Sequence, residues 1–195
     1  MPGLGTAAVV LAAGTASRFG GQKLLVPLRG HPLVRHTVEN VLASGVTDVV
    51  VVLGADADGV RAALAGLPVR LVVNPDYRDG MSTSLRCGIR ALDPGVAAAL
   101  VVLGDQPTVS PELMRRVVAA QRDSGKPIAA PVYAGTQGNP VVFARAVFGE
   151  IDALEGDRGA REVVQRDAAR VVRVHVDGEM PRDVDTREDY EALAG

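Results

Sequence analysis

The 195-residue chain is 47% apolar but only 3% aromatic, so its core must be Val, Leu and Ala packing, a composition that suits helices laid on a buried sheet. A formal charge of −2 with no long basic run argues against a nucleic-acid partner, and no apolar run approaches the ~20 residues of a membrane span. The single cysteine, Cys87, excludes an internal disulfide framework and a thiolate metal cage.

The length predicts one domain over residues 1–195 with a sizeable core. The opening MPGLGTAAVV has no basic n-region, so its apolar run reads as a first strand and a cytoplasmic location is expected. That strand stops in VVLAAGTASRFGGQKLL, residues 9–25. Gly14, Gly20 and Gly21 let backbone N–H groups approach an anion, while Arg18 and Lys23 add a forked and a point-like cation suited to a polyphosphate. The spacing is neither a Walker A loop nor GxGxxG, and a turn with solvated charges is the alternative.

PLVRHTVENVLASG then has helical spacing with Gly45 as its stop, DVVVVL is a strand, ADGVRAALAG is a helix stopped by Gly66, and VRLVV is a strand. VNPDYRDGMSTSLR places Asn74 at a strand end and a loop at residues 80–82 before a helix, where N–H groups can face a base or phosphate. Cys87 falls in that helix and reads as a small buried thiol.

AAALVVL leads into LGDQP, so Asp105 ends a strand at the rim of the sheet. A carboxylate there can hold Mg²⁺ together with substrate phosphates, or it can be a turn-forming aspartate. SPELMRRVVAAQRDSG is a helix with Ser110 as N-cap and Pro111 in its first turn. PIAAPVY and NPVVF, joined by AGTQG, predict an antiparallel insertion. Helical stretches at 144–154 and 158–169 bracket LEGDRGARE with Asp157, Arg158 and Arg161, and the strand RVVRVHV follows. In DVDTRED, Thr186 and Asp189 read as a capping-box variant, which leaves Asp183 and Asp185 unexplained and able to converge on the metal of Asp105. His31, His36 and His175 show no metal spacing.

Strands without period-two alternation, separated by helices, define an α/β fold with a doubly wound, mostly parallel sheet and a small antiparallel insertion. Ligands in such sheets bind beyond the carboxyl ends of the strands, which directs attention to residues 11–14, 73–82 and 103–107.

In this order VVLAAGTASRFGGQKLL, NPDYRDGMSTSLRCGI, LGDQPTVSP, QGNPVVF, LEGDRGAR and DVDTREDY resemble the MobA-like NTP transferase family over nearly the whole chain, and within it the molybdenum cofactor cytidylyltransferases. The resemblance implies a Rossmann-like fold of the nucleotide-diphospho-sugar transferase type. It places a nucleotide against Leu11, Ala12, Ala13 and Gly14, with Arg18 and Lys23 on the triphosphate as catalytic cations beside a catalytic Asp105. Asp105 and Asp185 become ligands of Mg²⁺ (or Mn²⁺), and Asn74, Gly80 and Ser82 form the nucleotide-side loop. LAAG, where guanylyl relatives tend to read LAGG, favours CTP over GTP. The implied reaction moves CMP onto a phosphate of a molybdopterin-type acceptor with release of pyrophosphate, and a recipient molybdoenzyme is a further expected partner. Asn139, Arg187 and Ala16 depart from the family pattern, where histidine, proline and serine are usual. Two other readings stand beside this one: an NAD(P)H-dependent reductase of the same fold, disfavoured by the missing GxGxxG, and a non-catalytic cofactor chaperone, which would not need two carboxylates at separate strand ends.

Overall fold

A strand forms from an unbroken apolar run when both of its faces meet helices. β1 (Leu4–Ala12) shows this, for Ala8, Val10 and Ala12 enter one core while Ala7 and Val9 enter the other, all five at most 1% exposed. Burying each such valine contributes about 1.5–3 kcal/mol. The computed structural model describes residues 4–15 and 19–194.

After β1 the chain forms a short antiparallel pair, β2 (Pro27–Leu28) with β3 (His31–Pro32). It continues through α1 (Leu33–Ala43), β4 (Val49–Leu53), α2 (Ala57–Ala63), β5 (Arg70–Val73), α3 (Met81–Arg90), β6 (Val96–Leu103) and α4 (Pro111–Ser124). Then follow β7 (Ile128–Tyr133), β8 (Thr136–Gln137), β9 (Val141–Ala144), α5 (Phe148–Asp152), α6 (Ala160–Gln165), β10 (Val171–Val176) and α7 (Arg187–Ala194).

The main sheet has the order β10-β7-β9-β6-β1-β4-β5, with β8 paired to β7. β1 runs parallel to both β4 and β6, β4 to β5, and β7 to β10. β9 is antiparallel to β6 and β7, and β8 to β7, which is the predicted insertion. Residues of α1, α4 and α7 pack on one face of the sheet and residues of α3, α5 and α6 on the other. From β1 the chain moves outward to β4 and β5, then returns to β1's opposite side with β6. The crevice of such a switch point opens between the carboxyl ends of β1 and β6.

The stops act as read from the sequence. Gly45 and Gly66 adopt φ of 83° and 82°, and Ser110 Oγ accepts the Leu113 N–H at 3.2 Å. The predicted helices at 144–154 and 158–169 are shorter in the structure. The first is a 3-10 turn followed by α5, and the second ends where Asp167 accepts the Ala169 N–H at 2.9 Å and starts another 3-10 turn. His31 lies on β3, ahead of the helix that carries His36. Cys87 is half-buried, where a buried thiol was expected, and desolvation raises its pKa against the opposing charge of Arg90. Among the described residues no helix is long and apolar enough to cross a membrane.

Candidate active site

Beyond the ends of β1 and β6 lies a cleft of about 560 Å³. Leu11, Ala13, Gly14 and Thr15 form one wall, and Tyr77, Arg78, Gly80, Met81, Ser84 and Asp157 contribute to another. Lys23, Asp105, Asp183 and Asp185 form a charged cluster in its lining. The Gly104 N–H donates to the Leu11 carbonyl at 2.9 Å, carrying the parallel ladder past β6 and setting Asp105 beside the β1 loop.

Lys23 Nζ lies 2.6 Å from Asp105 Oδ2 and 2.7 Å from Asp185 Oδ1, although 162 residues separate it from the second. Several contacts assemble this cluster. Leu24, 4% exposed, anchors the 3-10 turn Lys23–Leu25 in the core, and Gln22 Nε2 donates to the Ala55 carbonyl at 2.9 Å. Phe19 meets the Tyr190 ring edge-on at 6.5 Å, and the Tyr190 hydroxyl donates to the Pro27 carbonyl at 2.5 Å, so the loop after β1 is fastened to α7.

The segment before α7 is fastened to the β6 end in turn. The Val184 N–H donates to the Asp105 carbonyl at 3.2 Å, and Gln106 Nε2 donates to Asp183 Oδ1 at 2.5 Å. Val184 is 2% exposed and plugs the core, while its neighbours Asp183 and Asp185 both line the cleft. Thr186 and Asp189 exchange the reciprocal bonds of a capping box: Asp189 Oδ2 accepts the Thr186 N–H at 2.8 Å, and Thr186 Oγ1 accepts the Asp189 N–H at 3.2 Å.

Desolvation pulls the Lys23 pKa down, but the charges of Asp105 and Asp185 and their hydrogen bonds outweigh it, and the pKa stands above the ordinary lysine value. Asp183 is exposed overall, yet desolvation of its carboxyl, followed by repulsion from Asp105, raises its pKa against the opposing Gln106 hydrogen bond.

Two carboxylate oxygens converging on one cation are the donor set that a hard divalent ion requires, and the ammonium of Lys23 stands in for that ion. Among the described residues no three His, Cys, Asp or Glu side chains form a metal cage. An ion held by Asp105 and Asp185 would therefore draw its other ligands from substrate and water.

The 74–84 wall is organised by Asn74, which is 3% exposed. Its Nδ2 donates to Thr83 Oγ1 at 2.8 Å and Ser84 Oγ at 3.0 Å, and its Oδ1 accepts the Asp76 N–H at 3.0 Å. Because Ser84 Oγ accepts from Asn74, its own proton is left for another acceptor. Gly80 has φ of +110°, and a Cβ there would fall 2.3 Å from the Gly156 carbonyl, so only glycine lets this loop press against residues 156–157.

Leu11, Ala13, Gly14, Lys23, Gly80, Asp105 and Asp185 thus line one cleft. Three other expected residues do not. Ala12, 1% exposed, is core; the Asn74 side chain is spent on its own loop; and Ser82, fully buried, holds its Oγ away from the cleft lining. Ser82, Leu85 and Ile89 share the i, i+3, i+7 stripe that buries α3 against the sheet, so helical phase turns Ser84 to the cleft instead. That phase was available in the sequence, whereas the cleft positions of Tyr77, Arg78 and Met81 had no comparable signal. Arg18 lies outside the described residues. Asn139 is half-buried and absent from the cleft lining.

The fold and this cleft define an α/β protein of the nucleotidyltransferase type. The MobA-like NTP transferase domain matches residues 8–171, and the chain belongs to that family. It is 35% identical over 162 residues to a nicotine blue oxidoreductase of Paenarthrobacter nicotinovorans, covering 78% of each chain. Among solved structures it resembles Rv0371c of Mycobacterium tuberculosis, with a TM-score of 0.91, 35% identity and coverage of 100% and 99%. A structure of Rv0371c in complex with manganese matches with a TM-score of 0.84, 34% identity and 97% coverage of both chains. A Methanothermobacter nucleotidyl transferase matches with a TM-score of 0.79, 27% identity and coverage of 97% and 95%.

Proposed function

We propose that this protein transfers a nucleoside monophosphate, CMP from CTP, onto a phosphate of a molybdopterin-type acceptor and releases pyrophosphate. The observation that carries the proposal is the meeting of Lys23, Asp105 and Asp185 within 2.7 Å contacts beside a glycine-lined loop. The manganese complex of Rv0371c supports a divalent ion in relatives of this chain, and the segment LAAG supports cytidine over guanosine.

An oxygen of the acceptor phosphate attacks the α-phosphorus, and the bond from that phosphorus to the β-phosphate oxygen breaks, so pyrophosphate carries away the charge. A phosphate monoester has its second pKa near ~6 and is already largely a dianion at neutral pH, so the attack needs no general base. What remains is positioning anions and dispersing charge. Gly14 and Thr15 present backbone beside the triphosphate, Lys23 and Arg18 neutralise its β and γ groups, and Ser84 offers a hydroxyl proton to the nucleoside. Asp105 and Asp185 would hold Mg²⁺ or Mn²⁺, which when bound supplies Lewis-acid charge neutralisation at the phosphates.

Incubation with each of the four nucleoside triphosphates, Mg²⁺ and phosphorylated pterin acceptors, followed by a pyrophosphate assay, tests this. CTP-dependent release is expected, and no release with any triphosphate overturns the proposal. The similarity to nicotine blue oxidoreductase favours one rival, a reductase of the same fold. Consumption of NADPH without pyrophosphate would establish that rival, and nucleotide binding without any turnover would point to a cofactor carrier.

A further inference from the structure

The proposed reaction asks two things of one nitrogen. Lys23 Nζ contacts Asp105 Oδ2 at 2.6 Å and Asp185 Oδ1 at 2.7 Å, the oxygens a divalent ion would need. An ammonium at this distance crowds those oxygens, and two cations on the same pair of oxygens repel each other. The same ammonium is required at the triphosphate. Both demands are met in succession if the lysine gives up its place.

We propose that Lys23 is an exchangeable internal cation: it pairs with Asp105 and Asp185 in the free protein and passes to the triphosphate when a divalent ion takes its place. This rests on the function proposed above and adds a coupling to it. A divalent ion brings one more positive charge to the two carboxylates than the lysine it replaces, and it frees that lysine's charge for the incoming polyanion. Metal and nucleotide therefore favour each other's binding, by the same factor in both directions.

Two features suit the exchange. Leu24 is anchored in the core, so the move needs only rotation along the lysine's flexible stem, and Gly14 and Thr15 line the same cleft. Residue choice points the same way. Of the 21 Lys and Arg residues only Lys23 and Lys126 are lysine. A chain that otherwise uses arginine almost throughout carries, at this position, the cation without a planar fork to lock onto a carboxylate.

The test is Mn²⁺ binding to the full chain without nucleotide, followed by the electron paramagnetic resonance signal of the free ion. Lys23→Met is expected to bind Mn²⁺ at least 10-fold more tightly than wild type, and Lys23→Arg more weakly. A merely structural lysine would make Lys23→Met bind no better, and that result overturns the exchange. Should Lys23→Met fail to fold, ¹⁵N-lysine spectra of the wild type decide. Mg²⁺ should shift the Lys23 Nζ signal and leave that of Lys126, whose Nζ donates to the Val171 carbonyl at 3.3 Å; an unmoved Lys23 signal overturns the proposal. If Mn²⁺ binds but Lys23→Met gains nothing, only the exchange fails. If neither chain binds Mn²⁺ even with CTP present, the metal-dependent transferase reading fails with it.

Discussion

Asp105 and Asn74 each follow a parallel strand at the rim of the same sheet, and the structure uses them in opposite ways. Asp105 reaches the cleft and grips Lys23, while Asn74 turns inward and ties Thr83, Ser84 and Asp76 into one loop. A strand end therefore locates the backbone of a site but not the direction of its side chain. What decides direction is the company each residue keeps. Asp105 sits across from a cation carried by another loop, whereas Asn74 is surrounded by hydroxyls and N–H groups that its amide can satisfy at once.

Mutation of the two positions should separate reaction chemistry from loop architecture. Asp105→Ala is expected to lower turnover on the order of 10³-fold, in the range seen when one charge-stabilising group is lost, with an unchanged thermal midpoint; metal-dependent turnover near wild type would remove Asp105 from the site. Lys23→Ala should lose about 2–4 kcal/mol of transition-state stabilisation, read as kcat/KM in the pyrophosphate assay.

Asn74→Ala should act mainly on stability. It removes the hydrogen bonds to Thr83 Oγ1, Ser84 Oγ and the Asp76 N–H and is expected to cost about 1–3 kcal/mol in denaturant unfolding, with a larger effect on the nucleotide KM than on kcat. A stable Asn74→Ala protein with kcat reduced as far as in Asp105→Ala would erase the contrast. The serines of α3 refine it further. Ser84→Ala should raise the nucleotide KM by about 2- to 10-fold, the worth of one hydrogen bond. Ser82→Ala, which removes a buried hydroxyl that has no partner, should stay within about 0.5 kcal/mol of wild type in stability and leave KM unchanged.

A further small effect belongs to an ion pair remote from the cleft lining. Arg170 Nη2 contacts Glu150 Oε1 at 2.5 Å, and chiefly this hydrogen bond holds the Glu150 pKa below its ordinary value. A lowered folded-state pKa contributes stability above the unfolded value, lost as pH falls through the folded one. Glu150→Gln should therefore cost about 0.5–1 kcal/mol at pH 7 and less at pH 3, measured by urea midpoints at both.

Much of this architecture could be read without coordinates. DVVVVL and AAALVVL lack alternation because β4 and β6 are covered on both faces, and PIAAPVY with NPVVF announced the antiparallel insertion of β9. Asp105, Lys23 and Asp185 were legible as residues. Asp185 stood out because Thr186 and Asp189 already accounted for the helix cap without it. Ser82, which the resemblance assigns to the nucleotide-side loop, lies on the buried stripe of α3 with Leu85 and Ile89.

Local order in the chain determined the strands, the stops and the identity of the charged residues, because periodicity and backbone preference act over a few neighbours. Tertiary packing alone decided that an ammonium at position 23 would sit between carboxylates 82 and 162 residues away. Those contacts depend on Val184 filling one gap in the core and on Tyr190 meeting Phe19. Such complementarity of shape is settled only when distant segments are pressed together.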